Sequence, residues 1–303
     1  MIQTPTVLIL GAGASMPYDF PSGHGLLTRV CGTLLTDKGQ PKDVLSACGF
    51  DPDHIDSFRF SLCRSGRGSV DAFLEQRQEF IEVGKAAIAA TLIPYEDDIG
   101  LMLPGRANNW YQYLWSQIGA SWESFGSNRL SIITYNYDRS LEWYLFNCLK
   151  NSFGKPDADC VEKLRQIPIL HVHGLLGELL IPNITGGRAY ENKLDARRVG
   201  VAARGIRIVH EKVEDDPVFR EAKQRLVDAK VICFLGFGYH SLNLERLGIS
   251  QLRSDRTVCG TVQGLKQAEL LQLSKDIGYP LDFADDAEIL DYLRSRSVFS
   301  LSR

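Results

Sequence analysis

Four stretches place chemically able side chains directly after an apolar run. They are Gly11-Ala12-Gly13-Ala14-Ser15 after residues 6–10, Asn136-Tyr137-Asp138 after 130–135, His171-Val172-His173-Gly174 after 167–170, and Gly236-Phe237-Gly238-Tyr239 through Asn243 after 231–235. Histidine titrates near neutrality, so His173, beside a glycine, is a candidate to take up or release a proton. The Asn136 amide can orient a hydroxyl or a water, and the Asp138 carboxylate can accept hydrogen bonds. The small residues after Leu10 let the backbone turn sharply and approach a ligand closely. A loop running from a buried strand toward a helix N-terminus also aims amide N–H groups and partial positive charge outward, which suits a pyrophosphate. Each feature has a plainer alternative. Asp138 can cap the following helix, the glycine stretch can be a tight turn, and His171, two residues deeper on the same strand face, reads as a packed or hydrogen-bonded histidine. His24 and His240 flank the glycine loops; His54 and His210 carry no signal.

The elements that must position these groups follow from the hydrophobic pattern. Unbroken apolar runs at 6–10, 130–135, 167–170, 231–235 and 257–261 read as strands buried on both faces of a parallel sheet. Helical spacing recurs at 23–35, in one long helix from 69 to Pro94 capped by Ser69, and from Asn108-Asn109-Trp110 through Ile118. It appears again at 139–150, 216–229, 266–277 and 284–296. Trp110, Tyr111, Leu114, Trp115 and Ile118 share one helix side and read as core. Residues 151–166 and 181–208 read as polar and loop-like, with Arg188, Arg197, Arg198, Arg204 and Arg207 on a solvated surface. Strands separated by helices predict a Rossmann-like α/β fold, an open, mostly parallel sheet with helices on both faces. We expect one domain over 1–303 with a helical layer inserted at about 40–128. Such sheets bind ligands beyond the C-terminal strand ends, where all four polar stretches lie.

Composition narrows the function classes. The 303 residues carry a net charge of −3 and no long basic run, which gives no support for nucleic acid as a direct ligand. No apolar run approaches a membrane span, and no Lys/Arg-bearing segment precedes Val7 as in a signal peptide, so a cytoplasmic protein is expected. Seven scattered cysteines with no CxxC pair predict reduced thiols and no metal site. Gly11-x-Gly13 opens like a dinucleotide fingerprint, but Met16 stands where a third glycine belongs. Asp37, an acid able to bind a ribose hydroxyl, lies past the helix in a turn. A dehydrogenase is disfavoured.

Taken in order, the four stretches resemble the sirtuin-like fold, and specifically the bacterial sirtuin-like NADases of antiphage defence. Residues 11–15 with Pro21-Ser22-Gly23 resemble the sirtuin GAGxS…P loop. Thr134-Tyr135-Asn136-Tyr137-Asp138 is similar to its TQNID motif, and His171-Val172-His173-Gly174 to its HG motif. Gly236-Phe237-Gly238-Tyr239 with Asn243 resembles the late glycine-rich loop beside adenosine. The likeness runs from about residue 6 to 262. It implies that NAD+ is the substrate, that Asn136, His173 and Asp138 are catalytic, and that Asp138 accepts from the nicotinamide carboxamide. Gly11, Ala12, Gly13, Ala14, Ser15 and Pro21 would hold the pyrophosphate side; Gly236, Gly238, Tyr239 and Asn243 would border the adenosine. The zinc-ribbon cysteines of deacylase sirtuins are missing, and the loop after Ser15 reads MPYDFPSG without the deacylase arginine.

The resemblance therefore implies an NAD+ glycohydrolase that depletes cellular NAD. The alternatives are an NAD-dependent protein ADP-ribosyltransferase or deacylase, and a non-catalytic NAD or ADP-ribose binding module. Because the chain ends soon after the sirtuin-like unit, control is expected from assembly. That assembly would be a homo-oligomer or a complex with a partner of the HerA-type ATPase or short Argonaute class.

Overall fold

Runs of five residues with every side chain buried build the centre of the molecule: β1 (Thr6–Leu10), β2 (Leu130–Thr134) and β4 (Val231–Leu235). The computed structural model describes residues 1–35, 40–179, 187–208, 216–252, 255–278, 282–284 and 287–300. Asp37, His210 and residues 181–186 lie outside them. With β3 (Ile169–His171), β5 (Thr257–Thr261) and β6 (Asp282–Ala284), the strands form one sheet in the order β3-β2-β1-β4-β5-β6. Every pairing is parallel, which makes this a Rossmann-like α/β fold.

Alternate side chains of each strand enter different cores, as the two-residue period of a strand requires. Leu8, Leu10, Ile132 and Leu235 pack with Phe58, Phe73, Ile88 and Trp110, which come from helices lying between β1 and β2 in sequence. Val7, Ile9, Ile133 and Phe234 pack with Phe219, Leu244 and Leu273 from the helices Pro217–Asp228, Ser241–Leu247 and Gln267–Ile277. The helices between β1 and β2 are Gly23–Thr33, Gln40–Ala47, Pro52–Arg64, Val70–Leu74, Ile81–Leu92, Asp98–Met102 and Trp110–Ile118. Among the described residues, no helix is long and apolar enough to cross a membrane.

Several local expectations need correction. The single helix drawn from 69 to Pro94 is two, Val70–Leu74 and Ile81–Leu92, separated by a short 3₁₀ turn. Ser69 caps the first by accepting from Ala72 N at 3.1 Å. The loop-like 151–166 contains the helix Asp157–Leu164, and 181–208 contains Ala196–Gly205, capped by Asp195. Each buries only two side chains, Cys160 and Val161 in one and Val199 and Ala202 in the other, too narrow a stripe to read as periodic. The last helix begins at Ile289, not 284, because residues 282–284 pair with β5. The cysteines are not all reduced: Cys31 and Cys63 form a disulfide, Cα–Cα 5.9 Å, between helices Gly23–Thr33 and Pro52–Arg64. Arg188 is not on a solvated surface; it is buried against Glu96 and Arg139.

Candidate functional site

Because the strands are parallel, the ends of β1, β2, β3 and β4 open on one edge of the sheet, and the order reverses between β1 and β4. Two 3₁₀ turns, Ala12–Ala14 and Met16–Tyr18, carry the chain from β1 toward the Gly23 helix. The loops after β1 and β4 touch backbone to backbone. Gly13 N donates to Gly236 O at 3.0 Å, and Gly236 N donates to Thr261 Oγ1 at 2.8 Å. Gly236 has φ +55°, and a Cβ there would lie 2.2 Å from Ala14 N. The close approach that the small residues allow is thus made first by a neighbouring loop. Gly236→Ala is expected to cost about 2–4 kcal/mol, from left-handed strain plus overpacking, and to lower the urea midpoint accordingly.

Asn136, Asp138 and Ser15 form one hydrogen-bonded cluster. Asn136 Nδ2 donates to Gly11 O at 2.9 Å and to Ser15 Oγ at 3.0 Å; Ser15 Oγ donates to Asp138 Oδ2 at 2.7 Å. No described residue donates to Asn136 Oδ1, so that end of the amide is uncommitted. The other Asp138 oxygen accepts from Ser140 N at 3.1 Å and from the Ser140 hydroxyl. Both carboxylate oxygens are therefore engaged, and burial pushes the Asp138 carboxyl upward against the hydrogen bonds that favour its charge. Oδ2 accepts from Ser15 alone among the described residues and keeps a lone pair for a further donor, so the carboxylate can still accept from a ligand. Asp138 holds Ser15 and begins the helix Ser140–Phe153.

The inserted helices brace the same loop. Trp110 Nε1 donates to Ala14 O at 2.8 Å, while Tyr18 stacks on Tyr111 at 3.7 Å and donates to Asn109 Oδ1 at 3.1 Å. His171 is hydrogen-bonded, as its depth on the strand predicts: Nδ1 meets Asn136 O at 2.9 Å, and Nε2 meets Glu142. Burial alone would lower its pKa, but Glu142 and the Asn136 carbonyl outweigh burial and raise it.

His173 is different. It is 9% exposed, its ring stands edge-on to Tyr135 at 5.0 Å, and its Nε2 is buried with no hydrogen-bond partner among the described residues. Gly174 at φ +71° turns the chain there. A Cβ on it would meet Gly205 O at 2.0 Å, and His173 O accepts from Arg207 N at 2.8 Å. Burial lowers the His173 pKa; Arg246 and Arg207 add to the shift, and Asp71 and Glu75 oppose it. The ring is therefore neutral at neutral pH, with a nitrogen free to accept.

Other predicted residues fall outside this cluster. Tyr239 is core, 8% exposed at φ +49°, with its ring against Phe234 and Phe237 and its hydroxyl donating to Thr261 O at 3.0 Å. Its ring is thus part of the core. Pro21 packs at the start of the Gly23 helix, beside Gly25. Ala12 is half-buried, Gly238 exposed and Asn243 half-buried; the Asn243 carbonyl accepts from Tyr135 OH at 3.1 Å. His24 and His240 are exposed.

Sequence reasoning missed Asp71, whose Oδ1 lies 3.9 Å from His173 Nδ1, and Arg246, which pairs with Glu75 at 3.1 Å. Their signal is weak, since a charged residue on an amphipathic helix reads as solvated. Among the described residues, no group of three or more His, Cys, Asp or Glu side chains is placed to hold a metal ion. In comparisons with known proteins, no family model and no curated protein matches the chain.

Proposed function

We propose that this chain is an NAD+ glycohydrolase that takes its substrate across the ends of β1, β2, β3 and β4. One arrangement carries the reading. Asn136 is anchored through its Nδ2 and leaves Oδ1 uncommitted, while the buried, neutral His173 leaves Nε2 unpartnered at the next strand end. The sheet order supports it, because ligands of such sheets lie where the strand order reverses.

The chemistry follows from these groups. Breaking the bond between C1′ of ribose and nicotinamide sends the electron pair to the ring nitrogen, so the leaving group departs neutral. A water adds to C1′ and loses a proton, giving ADP-ribose. Asn136 Oδ1 accepts from a ribose hydroxyl or from that water and orients it. His173 Nε2 takes the proton. Ser15, held between Asn136 and Asp138, fixes the turn beside the pyrophosphate. The resemblance to antiphage NADases adds a role in depleting cellular NAD. It also adds control by assembly, as a homo-oligomer or with a HerA-type ATPase or short Argonaute partner.

The test is incubation of the purified chain with NAD+, resolving nicotinamide, ADP-ribose and cyclic product by chromatography beside a calorimetric binding measurement. Equal release of nicotinamide and ADP-ribose is expected. ADP-ribose retained on protein would move the reading to transfer, and absence of NAD+ binding would overturn the site. The pH profile is a further prediction. Since burial holds the His173 pKa below its usual 6.5 in the free protein, kcat/KM should be flat through neutrality and fall only as pH drops below that value. In the same window the unfolded chain binds a proton that buried His173 refuses, so its contribution to stability also falls as pH falls.

A further inference from the structure

The helix Val70–Leu74 brings a carboxylate from the inserted layer to the histidine at the end of β3. Asp71 Oδ1 lies 3.9 Å from Nδ1 of His173, the nitrogen opposite the unpartnered Nε2. We propose that Asp71 is a positioning residue that fixes His173 as the Nδ1–H tautomer, so that Nε2 is the bare, proton-accepting nitrogen. The inference rests on reading His173 as the general base, and it names the group that makes the ring one.

Asp71 is itself held in place. Tyr137 OH donates to the same Oδ1, and burial keeps that phenol protonated and hence a donor. Ser69 caps the helix, while Val70, Phe73 and Leu74 on either side of Asp71 are buried in the core. The carboxylate thus has little freedom to leave the ring. The other charged groups near His173 are engaged elsewhere: Glu75 with Arg246 at 3.1 Å, and Arg207 with Asp216. No cation is bonded to Asp71 among the described residues, so its negative charge faces the ring directly.

A distance of 3.9 Å exceeds an N–H···O hydrogen bond by about 1 Å. Such contacts are often long in free enzymes and tighten when substrate closes the site. Before closure, a negative charge beside Nδ1 already favours the tautomer whose N–H points at it. Tyr135, edge-on to the ring at 5.0 Å, limits its rotation. A neutral amide at position 71 would keep an acceptor for Tyr137 but remove the charge that selects the tautomer.

The test is two-bond ¹H–¹⁵N correlation spectroscopy on the full chain labelled with ¹⁵N-histidine at pH 7.5, with the His173 signals assigned by their loss in His173→Asn. The wild-type ring is expected as Nδ1–H, and Asp71→Asn as a mixture shifted toward Nε2–H. Kinetically, Asp71→Asn should lower kcat for NAD+ by about 10²-fold with little change in KM. That is less than the roughly 10⁴-fold seen where a carboxylate is bonded directly to the imidazole. Asp71→Glu should restore part of that loss. A wild-type ring protonated on Nε2, or an unchanged tautomer in Asp71→Asn, would overturn the proposal, and the wild-type spectrum decides it even if the variants fail to fold. A wild-type ring found as Nδ1–H in a protein without NAD+ turnover would uphold the tautomer and strike only the hydrolase reading.

Discussion

His173→Ala is expected to lower kcat for NAD+ hydrolysis by about 10²–10⁴-fold, the usual worth of a positioned general base. The reason is specific to this ring. Its Nε2 makes no hydrogen bond among the described residues, so no bond to them has to break before it accepts a proton. Removing the side chain leaves few polar groups stranded, because Nδ1 has only the 3.9 Å contact with Asp71. The variant should therefore fold, and calorimetric NAD+ affinity should stay within a few-fold of wild type. Asn136→Ala offers a contrast. It removes one of the two donors to Gly11 O, which keeps Ala14 N at 2.9 Å, and breaks the link to Ser15, so it should cost about 1 kcal/mol of stability as well as turnover. If His173→Ala keeps wild-type kcat while binding NAD+ normally, another group takes the proton and the assignment is wrong.

The parts of this site visible in the sequence are those where local pattern and tertiary position coincide. β1, β2 and β4 are apolar without alternation because both faces are covered, and a polar residue that ends such a run has few structural reasons to be there. Asn136, which follows β2, stands out for that reason; His173 follows the short, half-buried β3 and stands out by its chemistry beside Gly174. Asp71 does not stand out, because what matters about it is a neighbour on another strand, and its own helix shows only an acidic residue after a cap. Arg188 was hidden in the same way among four other arginines, since its partner Glu96 lies beyond Pro94 in a segment with no charge pattern. Tyr239 shows where local pattern and tertiary position part. A Gly-x-Gly-Tyr stretch looks like a ligand loop, yet φ +49° at the tyrosine returns its ring to the core between β4 and β5. The three residues of β6 are too few to show a period.

Glu96→Ala should be the most destabilising single change outside the glycine loops, at about 3–5 kcal/mol, the typical cost of leaving a buried charge uncompensated. Glu96 and Arg139 are both 0% exposed. Arg139 gives the carboxylate three hydrogen bonds of 2.8–3.0 Å, and Arg188 Nη2 lies 2.6 Å from its Oε2. Without Glu96, two guanidinium groups face one another in the interior with no anion between them. They cannot shed charge by deprotonating, because arginine stays protonated at any accessible pH. Arg139 also donates to the carbonyls of Gly177, Glu178, Arg188 and Ala189, so it ties the chain beyond β3 to the start of the Ser140 helix, beside the backbone bond from Leu176 N to Tyr137 O at 2.9 Å. Since Arg139 directly follows Asp138, loosening it should reach the Ser15–Asp138 bond, and the variant should lose NAD+ affinity as it loses stability. Replacing all three charged residues with Leu or Met of similar volume should recover little of the stability, because the carbonyls that Arg139 serves would lose their donor even though no charge is buried. Urea unfolding of the two variants beside wild type checks both statements. A Glu96→Ala unfolding free energy within about 1 kcal/mol of wild type would mean that solvent reaches the two arginines and that the cluster does not brace the site.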